Sequence, residues 1–247
     1  MIFGAGKPLG GAENIRRIDN MKRSEINKFI NEARVLFETH KFHLPPFAYW
    51  SPEQWQGVGS EAAEIRENGL GWDVTDYGLG RYEHTGLLLF TIRNGNYRLK
   101  SRYPKGYAEK IMMVREAQIT PWHFHWNKRE DIINRGGGNL VIELYRADDQ
   151  ERFSDQSFGV SVDGVEQEVV PGGKVILEPG QSICLEPYVY HTFYGQTGGG
   201  SVMVGEVSDV NDDSNDNRFY EKLGRFPTIE EDEPPQYLLC TEYPSPS

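Results

Sequence analysis

Apolar residues recur at helical spacing from Ser24 onward: Ile26, Phe29, Ile30, Ala33, Leu36 and Phe37. Steps of three and four residues place them on one face, which predicts an amphipathic helix over about 25–39 with Ser24 as its N-cap. Leu44-Pro-Pro-Phe-Ala-Tyr-Trp then reads as a rigid extended connection, because each proline restricts the residue before it. Ser51-Pro-Glu-Gln-Trp marks another helix start with Pro52 at the first helical position. From about residue 86 the pattern changes to short β-rich runs. Leu87–Ile92, Lys110–Arg115, Gln118–Trp126, Leu140–Tyr145, Val160–Val162, Lys174–Leu177, Ser182–Glu186, Val189–Tyr194 and Val202–Val207 are the expected strands. Gly, Asn, Asp and Pro separate them, as in Asp163-Gly, Pro171-Gly-Gly and Glu178-Pro-Gly. Many short strands with few helices between them predict a mainly β protein, an antiparallel sandwich or barrel.

Three segments follow from this pattern. Residues 1–20 are Gly-rich without periodicity and read as an extension, with Met21 as a natural start. Residues 21–85 form an N-terminal helical segment, and residues 86–247 form the β domain with a C-terminal extension. Within that extension Glu230–Pro235 is acidic and proline-rich, so a surface segment is expected.

Composition narrows the class. The chain has 247 residues, 38% of them hydrophobic, and a formal charge of -11. No basic run offsets that charge, which argues against a nucleic-acid or anionic-membrane partner. No apolar run is long enough to span a bilayer as a helix. Cys184 and Cys240 lie in unrelated contexts without metal-type spacing, so neither a disulfide framework nor a cysteine metal site is expected and a reducing cytoplasm fits.

The chemistry concentrates in Trp122-His-Phe-His-Trp-Asn-Lys-Arg-Glu-Asp-Ile-Ile-Asn-Arg-Gly-Gly-Gly. His123 and His125 are two apart, so on a strand both imidazoles share a face while Trp122, Phe124 and Trp126 take the other. Glu130 lies close enough for the chain to bring its carboxylate beside them. His191 sits in the later strand-like run Pro187-Tyr-Val-Tyr-His-Thr-Phe-Tyr. Three imidazoles and a carboxylate suit a divalent transition metal better than Mg²⁺ or Ca²⁺, which prefer oxygen shells. Four protein ligands leave two octahedral positions for a substrate with adjacent oxygens. His40, His43 and His84 show no partner pattern and read as structural or exposed.

These residues resemble the cupin superfamily, whose fold is a double-stranded β-helix of jelly-roll type. His123, His125 and Glu130, with Gly136–Gly138 downstream, match its first motif; Pro179-Gly180, Pro187 and His191 match its second. One departure is visible, since that second motif usually carries a glycine between the proline and the histidine. Met21-Lys-Arg-Ser-Glu-Ile-Asn, the run Pro121–Gly138, Glu186-Pro-Tyr-Val-Tyr-His and Gly205-Glu-Val-Ser-Asp-Val-Asn-Asp-Asp together resemble the bacterial D-lyxose isomerase family, over nearly all of residues 21–247. The resemblance implies a manganese-dependent aldose–ketose isomerase that interconverts D-lyxose with D-xylulose and D-mannose with D-fructose. Its Mn²⁺ ligands would be His123, His125, Glu130 and His191, although other divalent transition metals fit the same donors. It also implies a homodimer.

Moving a carbonyl between C1 and C2 needs an electrophile, a base, and a group that exchanges protons with the sugar oxygens. Lys110 opens a strand just before the ligand run, where hairpin order would turn it into the barrel. Glu206 lies in the apolar run Val202-Met-Val-Gly-Glu-Val, where burial without a cation would raise its pKa and suit it to act as the base. Asp216 and Arg218, in the Asn- and Asp-rich loop after Val210, are further candidates to bind sugar, as are His123 and Glu130. The rival readings are an iron-dependent cupin dioxygenase, which calls for an apolar cavity, and a non-catalytic sugar-binding cupin.

Overall fold

The computed structural model describes residues 20–213 and 215–246, so the expected extension over 1–20 lies outside the described residues but for Asn20. Three α-helices occur among them: α1 (Arg23–Thr39), α2 (Pro52–Gln56) and α3 (Ala63–Glu67). The strands are β1 (Met21–Lys22), β2 (Gly71–Thr75), β3 (Leu87–Arg93), β4 (Tyr107–Val114), β5 (His123–Phe124), β6 (Glu130–Gly137), β7 (Leu140–Arg146) and β8 (Phe158–Val162). They continue with β9 (Val165–Val169), β10 (Gly173–Leu177), β11 (Ser182–Leu185), β12 (Val189–Gly195), β13 (Val202–Asp209), β14 (Arg218–Phe219) and β15 (Ile229–Glu230).

Two antiparallel sheets face each other, in the orders β2-β3-β4-β13-β6-β11-β8-β9 and β10-β7-β12-β5-β14. This is the expected jelly-roll barrel. Alternation along the strands divides the apolar residues between two cores. Leu89, Met112, Val114, Ile132, Ile142, Leu144, Phe193 and Val204 fill the barrel between the sheets. Leu88, Phe90, Ile111, Met113 and Met203 point from the same strands to the outside, where they meet Ile26, Phe29, Ile30, Ala33 and Phe37 of α1. Helix α1 thus covers a face of the large sheet, and its buried residues match the stripe read from the sequence.

Three local expectations are corrected. Helix α1 begins at Arg23 with Lys22 as N-cap, because the C-terminal segment supplies the cap: both the backbone N–H and the hydroxyl of Ser24 donate to Asp232, at 2.9 and 2.7 Å. The strand expected over Gln118–Trp126 shrinks to β5, since Pro121 offers no N–H to a ladder and the chain beyond Phe124 turns toward β6. A strand before residue 86, β2, joins the edge of the large sheet against β3. The acidic tail also does more than cover surface, because β15 pairs in parallel with β1.

The glycines of the first motif have a steric reason. Gly137 has φ +92°, and a Cβ there would lie 2.2 Å from the Ser201 carbonyl oxygen on the approach to β13. In the second motif the missing glycine is replaced by Tyr188, held at φ +62° in the left-handed region. Its ring packs on Phe124 with centroids 5.1 Å apart, a contact that offsets part of that strain.

Candidate active site

Strand pairing assembles the histidines. In the β5–β12 ladder His191 stands directly opposite His123, with ring centroids 4.1 Å apart. His125 follows two residues later, its ring 5.4 Å from that of His123. Trp122 and Phe124 point to the far side of the sheet, among Tyr145, Phe153 and Tyr190.

Each Nδ1 faces a backbone carbonyl: His123 to Pro121 at 2.8 Å, His125 to Asp216 at 2.6 Å, His191 to Val189 at 3.1 Å. A carbonyl only accepts, so each Nδ1 carries the proton in the neutral ring and each Nε2 presents a lone pair. One ligand atom from each histidine lies within 4.8 Å of those from the others. Glu130 Oε1 sits 3.4 Å from His125 Nε2 and 3.1 Å from His191 Nε2, and it is buried without a hydrogen-bond partner among the described residues. Burial holds His123 well below the ordinary histidine range, reinforced by the neighbouring histidines, and burial lowers His191 too. Neutral rings with lone pairs aimed at an ionised carboxylate repel each other unless a cation lies between them. The donor set therefore fits a divalent ion, and the three Nδ1 contacts fix the ring orientations it needs.

Beside this cluster lies a buried charge network. Lys128 Nζ bridges Glu130 Oε2 at 2.7 Å and Glu206 Oε1 at 2.9 Å. Residue 206 of β13 stands opposite residue 110 of β4, and Lys110 Nζ lies 3.2 Å from Glu206 Oε1. The expected upward shift of Glu206 is corrected here. Burial does push its carboxyl up, but Lys110 and Lys128 outweigh that and hold it below the usual range. Glu130 is likewise held well below that range, its burial overcome by Lys128 and His125. Lys128 is pushed above the ordinary lysine range, since the two carboxylates overcome the cost of burying it.

These groups line a cavity of about 50 Å³, room for one or two waters, between apolar walls that include Leu89, Met112, Ile132, Phe193 and Phe219. Asp213 and Arg225 complete its polar rim. Arg225 Nη2 bonds Asp213 at 3.0 Å and also Asp73, while Nη1 has no partner among the described residues. Asp216 and Arg218, expected to contact sugar, do not line the cavity. The Asp216 carboxylate accepts the backbone N–H groups of Asn127 and Lys128, both at 3.0 Å, and so shapes the turn that carries Lys128. Arg218 alternates with Phe219 on β14. Phe219 faces His123, so Arg218 points outward to Glu151 at 2.9 Å. Lys128, Asp213 and Arg225 escaped the sequence reading. Only Lys128 carried a signal, its place between His125 and Glu130 of the first motif.

The profile of the D-lyxose isomerase family matches residues 21–243. D-lyxose/D-mannose isomerases of Serratia proteamaculans and Escherichia coli O157:H7 are each 52% identical over 224 residues, covering 90% of this chain and 98% of theirs. Among solved structures, the L-ribose isomerase of Cellulomonas parahominis with L-ribose superposes with a TM-score of 0.56 at 16% identity, over 87% of this chain and all of that one. That of Geodermatophilus obscurus gives 0.54 at the same identity and 87% coverage, which shows the shared fold. Charged groups thus converge on the histidine cluster between apolar walls, and the family match with its sequence relatives decides the class: the chain belongs to the D-lyxose isomerase family and is an aldose–ketose isomerase.

Proposed function

We propose that the enzyme interconverts D-lyxose with D-xylulose and D-mannose with D-fructose, using Mn²⁺ held by His123, His125, Glu130 and His191. The observation that carries this reading is the convergence of three Nε2 lone pairs and the unpartnered Glu130 Oε1 beside the Lys110–Glu206–Lys128 network. When bound, the ion supplies a Lewis acid that polarises the sugar carbonyl.

The chain's own groups handle the protons. Glu206, kept ionised by Lys110 and Lys128, takes the proton from C2 of the aldose and returns it to C1 of the enediol, giving the ketose. Lys110 gives a proton to O1 as the C2 proton leaves and takes the O2 hydroxyl proton as C1 is protonated, so carbonyl and hydroxyl exchange places and the lysine ends as it began. Lys128 holds Glu130 and Glu206 in register, so the ligand cluster and the base keep a fixed separation. Arg225 Nη1 offers a donor to a hydroxyl at the far end of the sugar. Apolar walls keep water from competing for the enediol. The reading also takes the enzyme to be a cytoplasmic homodimer, with residues 21–85 and 86–247 as its helical segment and barrel.

Metal-stripped protein reloaded with Mn²⁺ under anaerobic conditions, incubated in D₂O with D-lyxose, D-mannose or D-xylose, tests this directly. Ketose from D-lyxose and D-mannose with solvent deuterium appearing in the sugar is expected. Oxygen-dependent turnover, or no conversion by metal-loaded protein, would overturn it.

A further inference from the structure

The shortest contact of Lys110 is not with Glu206. Its Nζ donates to Asn211 Oδ1 at 2.7 Å, against 3.2 Å to Glu206, and Lys128 Nζ approaches the same oxygen at 3.4 Å. An ammonium has three hydrogens. With Asn211 and Glu206 taking two, the third remains for the cavity that Lys110 lines. Direction therefore depends on where Asn211 stands.

Asn211 is itself fixed by a chain of amides. Its backbone N–H donates to Asn94 Oδ1 at 3.0 Å, and Asn94 Nδ2 donates back to the Asn211 carbonyl at 3.0 Å. Asn94 Nδ2 also donates to the Asn68 carbonyl at 3.2 Å, while Asn68 Nδ2 donates to the Asn94 carbonyl at 3.1 Å. Asn68 is the C-cap of α3, and both Asn68 and Asn94 are 5% exposed. Because each Nδ2 is committed to carbonyls, each amide has only one satisfied orientation, and the reciprocal pairs leave no slack between α3 and the loop after β13.

We infer that Asn211 is a positioning residue for proton transfer, and that the Asn68–Asn94–Asn211 relay makes the N-terminal helical segment part of the active site. This rests on the reading of Lys110 and Glu206 as the proton-handling pair. A role confined to holding the loop would leave the chemical step untouched once the protein is folded and loaded.

The test uses full-length, Mn²⁺-loaded enzyme with D-lyxose and C2-deuterated D-lyxose. Asn211→Ala is expected to lower kcat about 100-fold, the loss expected of a misplaced reacting group, with little change in KM. The isotope effect on kcat should rise because proton transfer becomes limiting. Asn211→Asp keeps an acceptor oxygen of the same reach and should recover most of the rate. In lysine-labelled protein loaded with diamagnetic Zn²⁺ in place of Mn²⁺, the side-chain NMR signal that disappears in Lys110→Met should shift in Asn211→Ala and stay in place in Asn31→Ala, a change on α1 outside the relay. Parent-like kcat, isotope effect and lysine signal in Asn211→Ala, with Lys110→Met and Glu206→Gln impaired, would overturn this inference alone. Silent Lys110→Met and Glu206→Gln variants would instead overturn the reading of the pair, and the inference with it. Should Asn211→Ala not fold, Asn94→Ala, which keeps the Asn211 side chain, is expected to show the same rise in isotope effect, and its absence would refute the relay.

Discussion

At the scale of single residues the site is a problem of charge in a dry place. Glu206 is 5% exposed, yet it is held ionised by two lysines that are equally buried. Such a carboxylate is a weaker base than one raised toward neutrality, but it is always in the right protonation state. On the proposed reading of Glu206 as the base, Glu206→Gln keeps the shape and removes the proton acceptor, so kcat should fall about 10²–10⁴-fold and deuterium exchange at C2 should vanish, while the content of bound divalent metal stays at parent level. Lys128→Met should act differently. It leaves Glu130 and Glu206 facing each other without the cation between them, which should cost about 3–5 kcal/mol in urea unfolding besides impairing activity. Equal stability for Lys128→Met and the parent would show that the network does not carry that load. That His123 and His125 share a face was legible in sequence, because a two-residue spacing on a strand has a single geometric meaning. Lys128 was harder to see, since a lysine in a turn looks like any solvated lysine until β13 folds over it. Arg225 had no local signal, because its partner Asp73 lies more than half the chain away, and Asp213 looks like any loop aspartate until Arg225 meets it.

Among the elements, the strands and α1 were legible where one period persisted, as in Ile26–Phe37 and Val202–Val207. The failures came where tertiary partners override local rules. Ser24 has an ideal N-cap side chain, yet it lies inside α1 because Asp232 arrives from the C-terminal segment to meet it. That segment docks along the helix: Arg23 Nη2 pairs with Glu231 at 2.6 Å, and Asn27 Nδ2 donates to Glu233 at 2.6 Å. Arg23 also pairs with Glu242, and its own side chain is 2% exposed. Arg23→Met keeps the buried stem but leaves the Glu242 carboxylate short of a partner, so unfolding should become easier by about 2 kcal/mol. The active site lies on the inner face of the large sheet, opposite the outer face that α1 covers, so kcat should stay near the parent value. A large loss of kcat with unchanged stability would mean that the segment touches the chemistry in a way these contacts do not predict.

For the whole molecule, the jelly roll turns a sequence with charged residues inside its strands into two cores and one charged chamber, and the chamber makes stability depend on pH. Burial works against ionisation of Asp213, but Arg225 outweighs it and holds the carboxyl well below the ordinary range; Glu206 is lowered as well. In the unfolded chain such groups titrate near about 4. Between that value and the lower folded value the unfolded state binds more protons than the native one, so stability rises with pH. The contribution of these carboxylates is therefore complete above about pH 5 and is lost as pH falls through 4 toward their folded values. Asp213→Asn isolates one share of it. The variant should be less stable than the parent at pH 7, where Arg225 keeps only Asp73. The gap should close as pH is lowered toward 3, because the parent is losing what the variant never had. Urea unfolding of both proteins with chelator present, across pH 7 to 3, measures that gap directly. The histidines are common to both proteins, so their share cancels in the difference. A gap that stays constant across the range would mean that Asp213 does not enter the folded state as the ionised partner of Arg225.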